Sequence, residues 1–290
     1  MKKYIFLITI YNNREILTKL IEIINSDIKY LNSYMSVIVI NDASSQQIID
    51  QYQNTENINF IEIINMKENR GHARCIASGL KYIFKEKDFD YVIPMDGDGE
   101  DRPEEIIDFI QLADHSENKT IIGERIKRSE GFFFKLCYQF HKYLTLAFTG
   151  ESIKFGNFTC LSKSTVEKML NEKATWNSFS GSLKKVEKNL LSIPSIRGIR
   201  HFGPSKMSFF NLLKHSLSII SVFRKTVLIR SAFFIVFYIL LIKSNASIIT
   251  STPLVLLLIM IYSISSLALR ENMKELDNCL ENINNIKKIK

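Results

Sequence analysis

Residues 91–101, Tyr91-Val92-Ile93-Pro94-Met95-Asp96-Gly97-Asp98-Gly99-Glu100-Asp101, read as a short apolar strand running straight into a loop of acids and glycines. Four carboxylates within six residues repel one another unless a cation or hydrogen-bond donors compensate them. Hard oxygen donors of this kind suit Mg2+ or Mn2+, which completes its shell with substrate phosphate and water. An EF-hand would need further ligands and a helix on each side; here a strand, Tyr91–Met95, precedes the loop. Asp101, just ahead of Pro103 and Glu104, also suits the cap of a following helix.

Outward from this stretch, the first 125 residues alternate β-rich runs with helical periodicity. Further strands are expected at Tyr4–Ile10, Ser36–Asn41, Asn59–Ile64 and Thr120–Gly123, with helices near Glu15–Ile24, His72–Phe84 and Pro103–Leu112. Nearly continuous apolar strands such as Ser36-Val37-Ile38-Val39-Ile40 suit a parallel sheet covered on both faces. Alternating βα units predict a doubly wound sheet whose ligand lies beyond the carboxyl ends of the strands. Two further polar groups occupy such positions. Asp42, in Asn41-Asp42-Ala43-Ser44-Ser45, either accepts from a base or ribose or caps the next helix with Ser44. Asn69-Arg70-Gly71-His72-Ala73-Arg74 opens a helix whose small residues Ala77 and Gly79 allow close approach to the sheet, and whose N-terminus suits phosphate.

Beyond Gly123 helices are expected at Gly131–Thr149, Ser164–Asn171 and Ser180–Asn189. Ser208–Phe223 is amphipathic, with Phe209, Phe210, Leu213, Leu217, Ile220 and Phe223 at helical spacing, and reads as a helix lying in a membrane interface. Residues 226–269 carry two charges, Arg230 and Lys243, and a polar break at Lys243-Ser244-Asn245 divides them into 226–242 and 246–269. At 1.5 Å per residue each piece is long enough, or nearly so, to cross a hydrocarbon core of about 30 Å. Arg224 and Lys225 precede the pair and Arg270 and Lys274 follow it, which leaves both termini in the cytoplasm. The division expected is a catalytic domain over 1–206, an interfacial helix over 207–225, a transmembrane hairpin over 226–269, and an amphipathic helix over 270–290. In that last helix Leu276, Leu280, Ile283 and Ile286 share a side, for self-association or for the membrane.

Composition sets the outer limits. The chain has 290 residues, 46% hydrophobic, with 20 Phe and 11 Tyr, which excludes disorder and a disulfide-stapled miniature. The net charge of +8 is concentrated: residues 184–230 hold ten Lys/Arg and one acid, Glu187, and run into the most apolar part of the chain. That placement points to anionic phosphates at a membrane surface rather than to nucleic acid. The four cysteines, Cys75, Cys137, Cys160 and Cys279, form no C-x-x-C spacing and suit a reducing compartment. Met1-Lys2-Lys3 before Tyr4–Ile10 imitates a signal peptide, but no A-x-A site follows and the run reads as a first strand.

Taken in this order, the motifs resemble the family 2 glycosyltransferases of GT-A fold, in the polyprenyl-phosphate branch of dolichol-phosphate mannose synthases and bacterial undecaprenyl-phosphate glucosyltransferases. The resemblance rests on Thr9-Ile10-Tyr11-Asn12, Val39-Ile40-Asn41-Asp42, Asn69-Arg70-Gly71-His72, Met95-Asp96-Gly97-Asp98 through Pro103-Glu104, and Gly123-Glu124-Arg125. It continues in Gly156-Asn157-Phe158-Thr159-Cys160-Leu161 and in Arg200-His201-Phe202-Gly203-Pro204-Ser205-Lys206, and no Q-x-x-R-W of the processive synthases occurs. The resemblance implies an α/β GT-A domain followed by an interfacial helix and a two-helix hairpin. It implies an inverting hexosyltransferase of the bacterial inner membrane, catalytic domain in the cytoplasm, moving one sugar from a UDP- or GDP-sugar to a polyprenyl (undecaprenyl) phosphate.

The resemblance also implies roles. Tyr11, Glu15, Asp42, Asn69, Arg70 and Asp96 would bind the nucleotide sugar, while Asp96, Asp98 and Glu100 would hold Mg2+ or Mn2+ on its diphosphate. Arg200 and Lys206 would neutralise the departing diphosphate; Arg125, with Arg128 and Ser129, would receive the lipid phosphate. Asp98, Arg125, Arg200 and Lys206 make up the catalytic set. A phosphate monoester, with its second pKa near 6, is already an anionic nucleophile at neutral pH and needs no strong base. The sequence departs from the family pattern at Thr9 (usually Pro), Asn13 (often Glu), Glu100 (usually Gln), Asn157 (often Asp) and Thr159 (often Arg). Two rival readings are a glycosyltransferase of this fold with a glycan hydroxyl as acceptor and a catalytically silent scaffold that binds nucleotide sugar.

Overall fold

The computed structural model describes residues 1–46, 52–53, 55–127, 132–198 and 209–290. The strands are β1 (Lys3–Ile10), β2 (Tyr34–Asn41), β3 (Ile61–Met66), β4 (Tyr91–Asp96), β5 (Ile121–Lys127), β6 (Thr159–Ser162), β7 (Leu191–Ile196) and β8 (Ile283–Lys288). Among the described residues they form one sheet in the order β7-β5-β6-β4-β1-β2-β3-β8. The core β3-β2-β1-β4 is parallel, whereas β6 runs antiparallel to β4 and β5, and β8 antiparallel to β3. The order reverses between β1 and β4, which pair in register from Tyr4–Tyr91 to Thr9–Asp96. A doubly wound sheet opens its ligand crevice at that reversal, so the acid loop after β4 starts there.

The continuous apolar strands are buried on both sides, as their composition requires. Tyr4, Phe6, Ile8 and Ile10 of β1 face a layer made by α1 (Arg14–Asp27) and α3 (Ile106–His115), through Leu17, Ile21 and Phe109. Ile5 and Leu7 face the opposite layer, where α2 (His72–Glu86), α5 (Lys163–Leu170) and α6 (Phe179–Val186) contribute Ile76, Leu80, Val166 and Leu183. Gly79 brings α2 down onto the sheet: a Cβ there would collide with Leu7 Cδ1 and stand 3.1 Å from Ile40 Cγ1.

Four further helices form a second body beside the sheet. α4 (Phe132–Thr149) and α7 (Phe209–Ser221) pack with α8 (Arg224–Ile242) and α9 (Ile248–Ala268) around Ile220, Val227 and Ile264. α8 and α9 are long and apolar enough to cross a membrane, and Phe233 (73% exposed), Ile248 (90%) and Tyr262 (76%) lie open on them. On α7, Ile219 and Ile220 are buried while Phe210 and Leu213 are exposed. Arg230 has polar partners in its apolar helix: its Nη1 donates to Leu146 O at 3.3 Å and Ala147 O at 3.0 Å, at the end of α4.

The tail corrects the expectation of an amphipathic helix over 270–290. It forms a short helix, α10 (Met273–Asp277), then a 3-10 turn at Cys279–Asn282, and then β8. The physical reason is the open edge of β3, whose backbone groups need partners; β8 supplies them, pairing Glu62 with Lys288 through Met66 with Ile283. Leu276 and Cys279 are fully buried in the layer of α2, and Leu280 and Ile283 pack beside them while Ile286 is exposed, so three of the four residues that imitate a helical stripe pack on the sheet domain.

Replacing Gly79 by valine should lower the melting temperature of the purified protein, at a cost of about 1–3 kcal/mol for overpacking. An unchanged melting temperature would show that α2 can move away from β1 freely.

Candidate functional site

The acid loop is folded over the end of β1. Gly97 N donates to Thr9 O at 3.0 Å, and a Cβ on Gly97 would stand 2.7 Å from that same oxygen, so a glycine is required there. Gly99 follows with φ of 78°, the left-handed region that glycine enters without strain. The turn sends the four carboxylates in different directions. Asp101 is buried and turned inward, accepting Asp96 N–H at 2.9 Å through Oδ2; burial, with Asp96 beside it, pushes its pKa up to about 8. Asp98 Oδ1 accepts the Glu100 N–H at 3.1 Å. Glu100 forms an ion pair with the Arg197 guanidinium, and its carbonyl accepts Gly198 N–H at 2.8 Å.

Asp96 sits in a polar cluster. Its Oδ1 lies 3.0 Å from His72 Nε2 and accepts from Asn157 Nδ2 at 3.2 Å; His72 Nδ1 lies 3.2 Å from Thr9 Oγ1. Burial favours the neutral form of Asp96, but His72 and Asn157 override it and hold the carboxyl well below the usual range. The His72 side chain is 43% exposed, so the partial loss of solvent opposes its imidazolium only in part, and Asp96, with Asp101 and Asp98 beyond it, raises its pKa above the ordinary value. Two of the departures noted in the sequence thus belong to one cluster: Asn157 meets the Asp96 carboxylate directly, and Thr9 reaches it through His72. An aspartate at 157 would repel Asp96, whereas the asparagine amide donates to it.

The nucleoside candidates lie one strand over. Asp42 is buried and accepts Arg70 N–H and Gly71 N–H, each at 3.1 Å, so it ties the entry of α2 to the end of β2. Burial raises its pKa against the pull of those two donors. Gly71 (φ 90°) precedes α2 with no side-chain cap, which leaves first-turn N–H groups for an anion. Arg70 itself pairs with Glu68 at 2.6 Å. Tyr11 is 46% exposed in the turn after β1, Glu15 is exposed in the first turn of α1, and Asn69 is exposed beside Arg70. Asn12 (φ 55°) fastens the β1 turn to the β2 loop, its Oδ1 accepting Ser45 N–H at 2.9 Å and Gln46 N–H at 3.4 Å.

Arg125 stands near the acid loop from β5. It packs across Gly156, where a side chain would collide with the guanidinium, and its charge offsets part of the rise in the Asp101 pKa. Arg128, Ser129, Arg200 and Lys206 lie outside the described residues. His72, Asn157, Asp101 and Arg197 join the site without having been assigned to it from the sequence, which marked Asn157 only as a departure from the family pattern and carries no local signal for Arg197.

The donor set fits a cation, with one change. Glu100 is engaged by Arg197, which leaves Asp96 and Asp98 as the candidate ligands. Among the described residues no group of three His, Cys, Asp or Glu side chains forms a metal cage. Two carboxylates fit an ion that takes most of its shell from phosphate and water, as Mg2+ does.

Residues 5–178 match the sequence model of the family described as Glycosyl transferase family 2. Among solved structures, the chain is similar to glucosyl-3-phosphoglycerate synthase from Mycobacterium tuberculosis in complex with Mn2+, UDP-glucose and phosphoglyceric acid. That match has 11% identity, 78% of this chain and 80% of the other covered, and a TM-score of 0.55. It is also similar to mannosyl-3-phosphoglycerate synthase from Rubrobacter xylanophilus, at 12% identity, 76% and 72% coverage and a TM-score of 0.53.

Two outcomes test this geometry. A double-mutant cycle of Glu100→Gln and Arg197→Gln should give a coupling free energy of about 0.5–3 kcal/mol in chemical unfolding, and additivity would dissolve the pair. In EDTA, the raised His72 pKa stabilises the fold below the unfolded value of 6.5 and that contribution is lost as pH rises through the folded pKa. The melting temperature of His72→Gln should therefore fall less than wild type over that rise; parallel profiles would contradict the His72–Asp96 attraction.

Proposed function

Because the chain belongs to glycosyl transferase family 2, and is a hexosyltransferase on that ground, we propose that it moves one sugar from a UDP- or GDP-sugar to a polyprenyl phosphate. The proposed setting is the cytoplasmic face of a bacterial inner membrane, with α8 and α9 as the membrane hairpin and α7 in the interface. One observation carries the choice of acceptor: the strand bearing Arg125 is followed by α4, and α4 packs against the apolar helix α8. A phosphate held at Arg125 can thus trail an isoprenoid along aromatic and aliphatic surface. The glucosyl synthase named above is in complex with phosphoglyceric acid, a small molecule, whereas the apolar hairpin favours a lipid here.

Asp96 and Asp98 would hold a divalent cation, and the solved relatives bound to Mn2+ or Mg2+ with UDP support this assignment. Such an ion, when bound, supplies positive charge to the diphosphate as it departs. His72 and Asn157 orient Asp96, while Asp101 holds the loop backbone from below. Arg125 binds the acceptor phosphate, and Arg200 and Lys206 neutralise the leaving diphosphate. Tyr11, Glu15, Asp42, Asn69 and Arg70 frame the nucleoside. The phosphate oxygen is already anionic, so displacement at the anomeric carbon needs no side-chain base, and inversion follows from a single displacement.

Purified protein incubated with undecaprenyl phosphate, Mg2+ or Mn2+, and a panel of UDP- and GDP-sugars should yield a lipid carrying one sugar on its phosphate, read by mass spectrometry. Asp98→Ala should reduce turnover by about 100-fold or more, and EDTA should abolish it. Transfer to a glycan hydroxyl instead, or nucleotide binding without product from any donor, would overturn the assignment.

A further inference from the structure

The two loops that bracket Asp42 are both fastened to the C-terminal tail. Across β2, β3 and β8 three asparagines stand side by side. Asn285 Oδ1 accepts from Asn65 Nδ2 at 2.7 Å, and Asn65 Oδ1 accepts from Asn41 Nδ2 at 2.8 Å. Asn41 Oδ1 then accepts Ser44 N–H at 3.1 Å, in the loop that follows Asp42. The second loop, between β3 and α2, supplies the Arg70 and Gly71 amides to Asp42, and it is held from the tail as well. Asn282, which is buried, donates from Nδ2 to Glu68 O at 3.0 Å, and its own carbonyl accepts Lys67 N–H at 2.7 Å.

Two hollows lie along these loops, and the tail walls both. One, of about 270 Å³, is lined by Asn41, Ala43, Ser44, Asn65, Asn284 and Asn285 among others. The other, of about 680 Å³, has Lys67 and Arg70 on one side and Lys274, Asn278 and Asn282 on the other. Asparagine is a poor strand residue, so a row of three in register weakens the sheet edge relative to β-branched residues. What the row supplies is direction: each amide offers both donor and acceptor, and here they link the sheet edge to the Asp42 loop. The tail is in turn fixed by the core. Leu276 is fully buried, and Trp176 Nε1 donates to Glu275 Oε2 at 2.6 Å.

We propose that the C-terminal tail is part of the donor site, with Asn285 and Asn282 as positioning residues that hold the loops at 41–46 and 65–71 in the shape that receives the donor nucleoside. The proposal rests on the nucleotide-sugar reading above. It joins the segment that follows the apolar hairpin to the nucleoside residues proposed above, Tyr11, Glu15, Asp42, Asn69 and Arg70, all of which lie in the first hundred residues.

The test uses the full chain, with UDP and GDP as binding probes and calorimetry as readout, beside donor KM and kcat. Asn285→Val removes the acceptor while improving strand propensity, so the fold should persist. Asn285→Asp keeps an oxygen facing Asn65 Nδ2. The valine variant should weaken nucleoside diphosphate binding and raise donor KM by roughly 3- to 10-fold, the worth of one hydrogen bond, with kcat and melting temperature retained. The aspartate variant should restore most of that loss. Unchanged binding in Asn285→Val, or an equal loss in both variants together with a lowered melting temperature, would overturn the positioning role. Failure of the wild-type chain to bind either UDP or GDP would instead remove the nucleotide-sugar reading on which the role depends.

Discussion

Crowding four carboxylates onto the turn after β4 is the constraint around which the rest of the site is arranged. Each acid in that turn has been given something different. Asp101 is buried and held as a backbone acceptor, Asp98 takes the Glu100 amide, Glu100 is matched by Arg197, and Asp96 is matched by His72 and Asn157. These partners come from α2, from the stretch before β6 and from the end of β7, so satisfying one loop draws together segments far apart in the chain. Had all four acids faced one point, their mutual repulsion would have raised their pKa values together. Dividing them moves two carboxylates in opposite directions: His72 and Asn157 hold Asp96 below the usual range, and burial beside Asp96 pushes Asp101 above it.

The parts of the fold that are legible in the sequence are those written in local pattern. Ser36–Ile40 and Tyr4–Ile10 are continuously apolar because both faces are covered, and the helices after them carry an ordinary 3.6-residue period. β8 is illegible for the opposite reason. Its pairing partner, β3, is remote in the chain: the hydrogen bond between Asn65 and Asn285 spans 220 residues. Its own residues, Ile283 to Lys288, set two isoleucines among two asparagines and two lysines, which strands disfavour, and the spacing of Leu276, Leu280, Ile283 and Ile286 matches a helix. What decides the outcome is an unpaired sheet edge, which no local window contains. β7 is hidden similarly, since Pro194 breaks the pattern of a strand that pairs through β5.

The site shows the same division. The acids, Asp42 and the α2 entry stand at strand ends, and position along a strand is a property of sequence. Asp42 does not cap a helix together with Ser44; it ties the entry of α2 to β2 through the Arg70 and Gly71 amides, at the place proposed for the nucleoside. Who pairs with whom is a matter of packing. Glu100 reads as a cation ligand beside Asp98 until Arg197 is brought to it, and Thr9 and Asn157 read as separate departures until His72 connects them at Asp96.

Arg230 shows how the apolar hairpin is tied to the sheet domain. A guanidinium cannot be deprotonated in a protein and is costly in apolar surroundings. The carbonyls at the last turn of a helix lack intrahelical partners and carry partial negative charge. Arg230 brings these two needs together by donating to Leu146 and Ala147 at the end of α4. Gly150, with φ of 76°, completes the join, because a Cβ there would lie 2.7 Å from Arg230 Nη2. Since α4 is the next helix after the strand that bears Arg125, the join sets the placement of that strand's helix against the hairpin. β8 sets a second one, from the opposite edge of the sheet. The hairpin is therefore tied to the sheet domain from two sides, by the helix that follows β5 and by the edge strand β8.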